Sequence, residues 1–202
     1  MATVRHAPRI RDPERKQRIL TAAAGLSARR GFHAISMADI GSEAGIVGSG
    51  IYRHFGSKTA ILVAMLDRVM NRLSDQAAAV LAAGATPAVT LSELVRHHIS
   101  VAIEDRDVLA VYHHESHTLP EEDRHRLRRS QRQYIEDWVH VLAPLRPDLT
   151  DGELRLAVHA AIGAIQSTLF FRSGLPDDRL AQLLEEMAHG CLGTRPAARA
   201  RQ

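Results

Sequence analysis

Apolar residues recur along most of this chain at intervals of three and four, and they rarely alternate, so the pattern predicts helices and no convincing strand. Ile19, Leu20, Ala23, Ala24 and Leu26 mark a first helix. Asp12-Pro13 opens it with a capping carboxylate and a proline at the first helical position, and Arg29-Arg30-Gly31 closes it. Ser36 begins a second helix, with Asp39 three residues on as the acid of a capping box; Met37, Ile40 and Ala44 share its inner face, and Gly45 stops it. Ile46 and Val47 form an apolar turn. A third helix of about two turns is expected from near Gly48 to Phe55. Ile51 and Phe55 lie one turn apart on its packing face, which sends Tyr52, Arg53 and His54 elsewhere.

Gly56-Ser57-Lys58 breaks the chain and restarts it, with Ser57 as N-cap. The fourth helix is long, its period running from Ile61 through Leu62, Met65, Leu66, Val69, Met70 and Leu73 to Val80. Further helices are expected at about 90–103, 105–117 and 120–145, then an eighth opened by Thr150 and Glu153 and a ninth at about 177–192. The eighth, LAVHAAIGAIQSTLFF, is apolar nearly all round and is expected to be buried. This is an all-α chain of about nine helices: a three-helix unit over 12–57, a helical body over 58–193, and flexible tails at 1–11 and 194–202.

Composition agrees with a helical globular protein, at 45% hydrophobic and 4% aromatic residues. The lone cysteine, Cys191, rules out an internal disulfide and suits a reducing compartment. No apolar signal core follows the basic N-terminus, and no stretch is long enough for a membrane helix, so a soluble, cytoplasmic protein is expected. Charge adds an asymmetry. Met1–Lys58 carries ten Lys/Arg against four Asp/Glu, while the remainder carries sixteen against nineteen. A basic head on a mildly acidic body points to a polyanion-binding module, although basic N-termini are also often merely solvated.

Two short helices joined by a glycine-containing turn suit the DNA major groove, which admits one helix while the other braces on the backbone. The stretch AGIVGSGIYRHFGSK, residues 44–58, resembles the signature of the TetR family of transcriptional regulators. That signature reads Ala-Gly-Val-Ser-x-Gly-x-Leu-Tyr-x-His-Phe-x-Ser-Lys. Ala44, Gly45, Tyr52, His54, Phe55, Ser57 and Lys58 match it identically, and Ile46 and Ile51 conservatively. The resemblance implies a DNA-binding domain over 12–57 and an effector-binding and dimerisation domain over 58–193. Its DNA contacts would come from Ser36, Met37, Val47, Gly48, Ser49, Gly50, Tyr52, Arg53, His54 and Lys58. Hydroxyl, imidazole and ammonium groups are what a phosphate accepts hydrogen bonds from. The centre of the motif departs from the family: Val47 replaces a small polar cap, and Gly48-Ser49 replaces the usual Lys-Gly pair. Base readout then falls to Ser49, Arg53 and close backbone approach.

In this family the long fourth helix couples DNA to an effector pocket among helices four to eight, which makes Tyr112, His113, Trp138 and Phe170 pocket candidates. The three aromatic residues are equally what a core contains. His97, His98, His113, His114 and His117 are concentrated in the same region; His113 and His117 have a metal-compatible spacing, but no companion ligand pattern accompanies them, and no metal or cofactor is expected. A polar rim on an organic-ligand pocket is the better reading. The apolar interior and nearby His and Arg residues suit a lipophilic, anionic small-molecule effector such as an acyl or acyl-CoA-like molecule. The resemblance further implies a homodimer through helices eight and nine, a pseudo-palindromic double-stranded DNA operator, and a repressor released by its effector. No phosphate loop or catalytic carboxylate pair argues for an enzyme. The alternative is a helical interaction or ligand-binding protein with weakened DNA binding.

Overall fold

The structure, a computed structural model, describes residues 13–46 and 48–197. The expected capping by Asp12, the tail over 1–11, Val47 and residues 198–202 lie outside those bounds. Eight α-helices occur among the described residues, and no strand. They are α1 (Pro13–Arg30), α2 (Met37–Glu43), α3 (Lys58–Ala82), α4 (Pro87–Glu104), α5 (Arg106–Glu115), α6 (Glu121–Leu142), α7 (Asp151–Gln166) and α8 (Asp177–Leu192). No helix is long and apolar enough to cross a membrane among these residues. The chain divides into two compact units, Met1–Ile61 and Leu62–Gln202.

In the first unit, Ile19, Ala23, Phe32, Ile35, Ile40 and Ile51 form a buried core. The capping box of α2 is complete: Ser36 N donates to Asp39 Oδ2 at 2.8 Å, and Asp39 N donates to Ser36 Oγ at 3.1 Å. The far end of α2 is a Schellman motif. Ile46 N donates to Gly41 O at 2.8 Å and Gly45 N to Ser42 O at 3.1 Å, with Gly45 at φ 68°, a left-handed conformation that a side chain would oppose. The expected third α-helix is instead a 3₁₀ segment, Gly48–Arg53. Two glycines in six residues supply too little helix propensity to extend it, and Ile51 O closes it by accepting from His54 N and Phe55 N.

In the second unit, α4 is central and packs against α5, α6, α7 and α8. Leu91, Leu94 and Val95 of α4 are buried in the same unit as Trp138 and Leu142 of α6, Val158 and Ile165 of α7, and Leu184 and Leu192 of α8. Thr150 and Glu153 cap α7 as expected, through Thr150 N to Glu153 Oε2 at 2.7 Å and Glu153 N to Thr150 Oγ1 at 3.4 Å. Three helices stop short of their predicted ends. A 3₁₀ turn at Ser116–Thr118 follows α5, another at Ala143–Leu145 follows α6, and Ser167–Leu169 follows α7. At Ala143–Leu145 the cause is Pro144, which has no N–H to continue the ladder. The expectation that α7 is buried all round needs correction: Leu156, Ala160 and Gly163 form an exposed face, with Leu156 70% accessible. The expected loose tail is also anchored at its start, where Ala197 N donates to Ser92 Oγ at 2.9 Å and Arg96 to Ala197 O at 2.5 Å.

Candidate nucleic-acid interface and effector region

The 3₁₀ segment splits its side chains by function. Ile51 and Phe55 are buried, while Ser49, Tyr52 and Arg53 are exposed and His54 is half-buried. Tyr52 is 57% accessible, an unusual setting for a large ring unless its hydroxyl and face have a partner. Gly50 lies against the turn, and a Cβ there would sit 2.8 Å from Ile46 Cγ2. A side chain at this position would push Ile46 aside, so glycine lets the segment fold back this closely.

Two of the expected DNA contacts are engaged within the protein. Lys58 Nζ donates to Phe32 O at 3.0 Å, His33 O at 3.2 Å and Ile35 O at 2.9 Å, and lies 4.8 Å from the Phe32 ring centroid. Its three protons satisfy carbonyls at the 3₁₀ turn Phe32–Ala34, so in this geometry it braces the start of α3. Ser36 Oγ donates to Asp39 Oδ2 at 2.5 Å as well as accepting the cap bond. That pairing holds the Asp39 carboxyl below the usual carboxylate range. The Met37 side chain is buried on the inner face of α2 with Ile40, where an apolar thioether gains by burial. Val47 lies outside the described residues.

The second unit carries a polar chain across four helices, buried at His98 and Tyr134, half-buried at Gln166 and exposed at His113. Tyr134 OH and His98 Nδ1 are 3.0 Å apart, His98 Nε2 faces Gln166 Nε2 at 3.4 Å, and Gln166 Oε1 faces His113 Nε2 at 3.1 Å. The pattern is self-consistent when the Gln166 amide donates to His98 and accepts from His113. His98 is then a neutral imidazole carrying its proton on Nδ1. Desolvation pushes its pKa down to about 4. The four predicted pocket residues separate around this chain. Tyr112, His113 and Phe170 meet, with ring centroids 6.2 Å and 5.5 Å apart in successive pairs. Trp138 does not join them; it is fully buried against His98 and Tyr134. Among the described residues no group of three His, Cys, Asp or Glu is placed to hold a metal ion.

Residues 19–65 match the family model for bacterial regulatory proteins of the tetR family, and residues 84–169 match that for the tetracyclin repressor-like C-terminal domain. The chain belongs to the TetR family. It is similar to the helix-turn-helix-type transcriptional regulator BetI of Rhizobium meliloti (strain 1021), at 32% identity over 85 residues, 42% of each chain. Identity to the transcriptional repressor KstR2 of Rhodococcus jostii (strain RHA1) is 28%, over 70% of this chain and 68% of that one. Among solved structures, AibR in complex with isovaleryl coenzyme A and operator DNA shares the fold, with a TM-score of 0.72 at 21% identity, covering 86% of this chain and 97% of that one. This chain therefore aligns with less than half the length of the curated BetI.

Within this TetR-family frame, sequence reasoning located the exposed residues of the 3₁₀ segment but missed Tyr134 and Gln166. Neither has a motif. The available signal was the seven-residue spacing of Gln131 and Trp138 about the inward-facing Tyr134 on α6, which places an aromatic hydroxyl in the core with a need for a partner.

Proposed function

We propose that this TetR-family protein is a DNA-binding repressor that acts as a homodimer and is released from its operator by a small lipophilic, anionic effector. The observation that carries the reading is the split of the 3₁₀ segment, where buried Ile51 and Phe55 hold Ser49, Tyr52 and Arg53 outward. Those groups offer a hydroxyl, a phenol and a guanidinium to a phosphate backbone, and Arg53 can also reach a base edge. His54 adds an imidazole donor. Ser36 and Lys58 contribute by setting the geometry of α2 and the start of α3. Gly48 and Gly50 allow close backbone approach to the groove.

Exposed Leu156 on α7 and Met187 on α8, with exposed Phe171 and Leu175 in the segment between the two helices, support dimerisation through α7 and α8, since large apolar side chains left in water favour an interface. A two-fold dimer places its two reading segments about 34–36 Å apart on a pseudo-palindromic operator. The likeness to AibR, whose structure holds isovaleryl coenzyme A and operator DNA, supports an acyl-type effector. Binding rather than turnover is the function, and the cytoplasm is where DNA and effector meet.

Gel-shift titration against the DNA upstream of the chain's own gene tests this. Wild-type protein should shift that duplex specifically; Tyr52→Ala should weaken binding to every duplex, and Arg53→Ala should flatten the salt dependence by about one unit. Absence of any specific shift by folded wild-type protein would leave only a helical ligand-binding protein.

A further inference from the structure

We infer that a cavity between α5 and α6 is an anion subsite that takes the carboxylate or phosphate head of a small amphiphilic acid. The cavity measures about 180 Å³. Arg124, Leu127 and Arg128 line it from one face of α6, at positions i, i+3 and i+4. Tyr112 of α5, His117 of the following 3₁₀ turn and Leu119 face them. The Tyr112 hydroxyl donates to Gln131 Oε1 at 3.2 Å and closes one end. The result is a small space with cationic groups along one side and leucine at its floor.

The charge balance of this space is one-sided. Its lining contains no carboxylate. On the same helix Arg126 is paired with both Asp67 and Asp123, so acids are available to this helix and are used elsewhere. Arg124 Nη1 reaches only the His117 carbonyl, at 3.5 Å, and Arg124 Nε is buried with no acceptor. A buried guanidinium N–H without an acceptor is rare in folded proteins, and the partner that its fork fits best is a pair of anionic oxygens. At roughly 20–30 Å³ per non-hydrogen atom, the cavity admits about six to nine such atoms. That is a short-chain acid, with its chain on Leu119 and Leu127 and its head on Arg124 and Arg128. Carboxylate and phosphate share this chemistry.

Identifying this acid with the effector rests on the regulator reading above; the binding itself does not. Isothermal titration of the full chain with pentanoate, propyl phosphate and 1-pentanol at constant ionic strength tests the subsite. At least one anion should bind saturably, one per chain, and pentanol at least tenfold more weakly. The tighter of the two anions identifies the head group. Arg124→Gln should weaken the anion about tenfold or more, as expected for a charged hydrogen bond lost. Arg124→Lys, which keeps the charge without the fork, should fall between. Arg129→Gln, exposed and outside the lining, should bind as wild type. No saturable binding of either anion, or equal binding by the folded Arg124→Gln/Arg128→Gln double variant, overturns the subsite. Binding without release of DNA in the gel shift leaves the subsite standing and removes its link to the effector. Release by another compound, retained in a double variant that binds no anion, confirms the subsite as an anion site, separates it from the effector and leaves the regulator reading intact.

Discussion

Protonating His98 should destabilise the second unit at a mildly acidic pH where most surface groups are unchanged. The imidazole is 2% accessible, Tyr134, Gln166 and Trp138 surround it, and no carboxylate touches it. Burial lowers its pKa from 6.5 to about 4, so the unfolded chain binds the proton more tightly than the fold does. Stability must therefore rise with pH across this window. It is complete above about pH 6.5, falls as pH drops, and levels off near pH 4. With those two values the cost is about 0.2 kcal/mol at pH 7 and about 2 kcal/mol at pH 5, a loss worth a factor of roughly twenty in the folding equilibrium. The mechanism is local: a second proton on Nε2 would face the Gln166 amide N–H, and turning that amide would release His113.

Urea unfolding at pH 7 and pH 5 tests this, at one protein concentration because dimerisation is linked to folding. Trp138 is the only tryptophan in the chain and packs 6.0 Å from the His98 ring, so its fluorescence reports on this unit. His98→Gln cannot titrate. Burial lowers the pKa of His189 as well, but that contribution occurs in both proteins and cancels in the difference. Glu104, held low by Ser100 and Arg72, loses stability only as pH falls into the carboxylate range. The wild type should therefore lose about 2 kcal/mol more than His98→Gln between pH 7 and pH 5. Equal losses in the two proteins would refute the buried neutral imidazole.

Lys58→Ala should lower the stability of the first unit by about 1–3 kcal/mol, because three carbonyls lose a charged donor; circular dichroism melts should show it, and an unchanged melt would return Lys58 to the DNA. Gly50→Ala places a methyl against Ile46 and should cost about 1–3 kcal/mol while weakening DNA binding; wild-type affinity with an unchanged melt would show that the turn yields freely. Leu156→Glu should convert a dimer to monomer in light scattering without lowering helicity, since the residue faces solvent in the single chain; a dimer that survives it would exclude the α7 face.

The sequence was most legible where one local force decides the outcome. The capping boxes of Ser36 with Asp39 and Thr150 with Glu153 form as spacing predicts, because both partners lie within one turn. The inward faces of α1 and α3 follow the apolar period for the same reason. The sequence is least legible where a side chain has two suitable uses. Lys58 could serve a phosphate or a set of carbonyls, and only the fold brings Phe32, His33 and Ile35 to it from more than twenty residues away. Met37 could brace DNA or fill a core, and the core gains more apolar burial. The motif did not distinguish a 3₁₀ segment from an α-helix, since Tyr52, Arg53 and His54 keep the same order in both. The long-range polar chain was hidden for a further reason. Its members lie on four different helices, and histidine density drew attention to neighbours in sequence rather than to Tyr134 and Gln166. Motif spacing therefore identifies which residues are available to touch DNA, whereas the hydrogen-bond inventory decides which are free to do so. On that test Tyr52 and Arg53 are the exposed donors of the segment, and Lys58 is engaged with carbonyls.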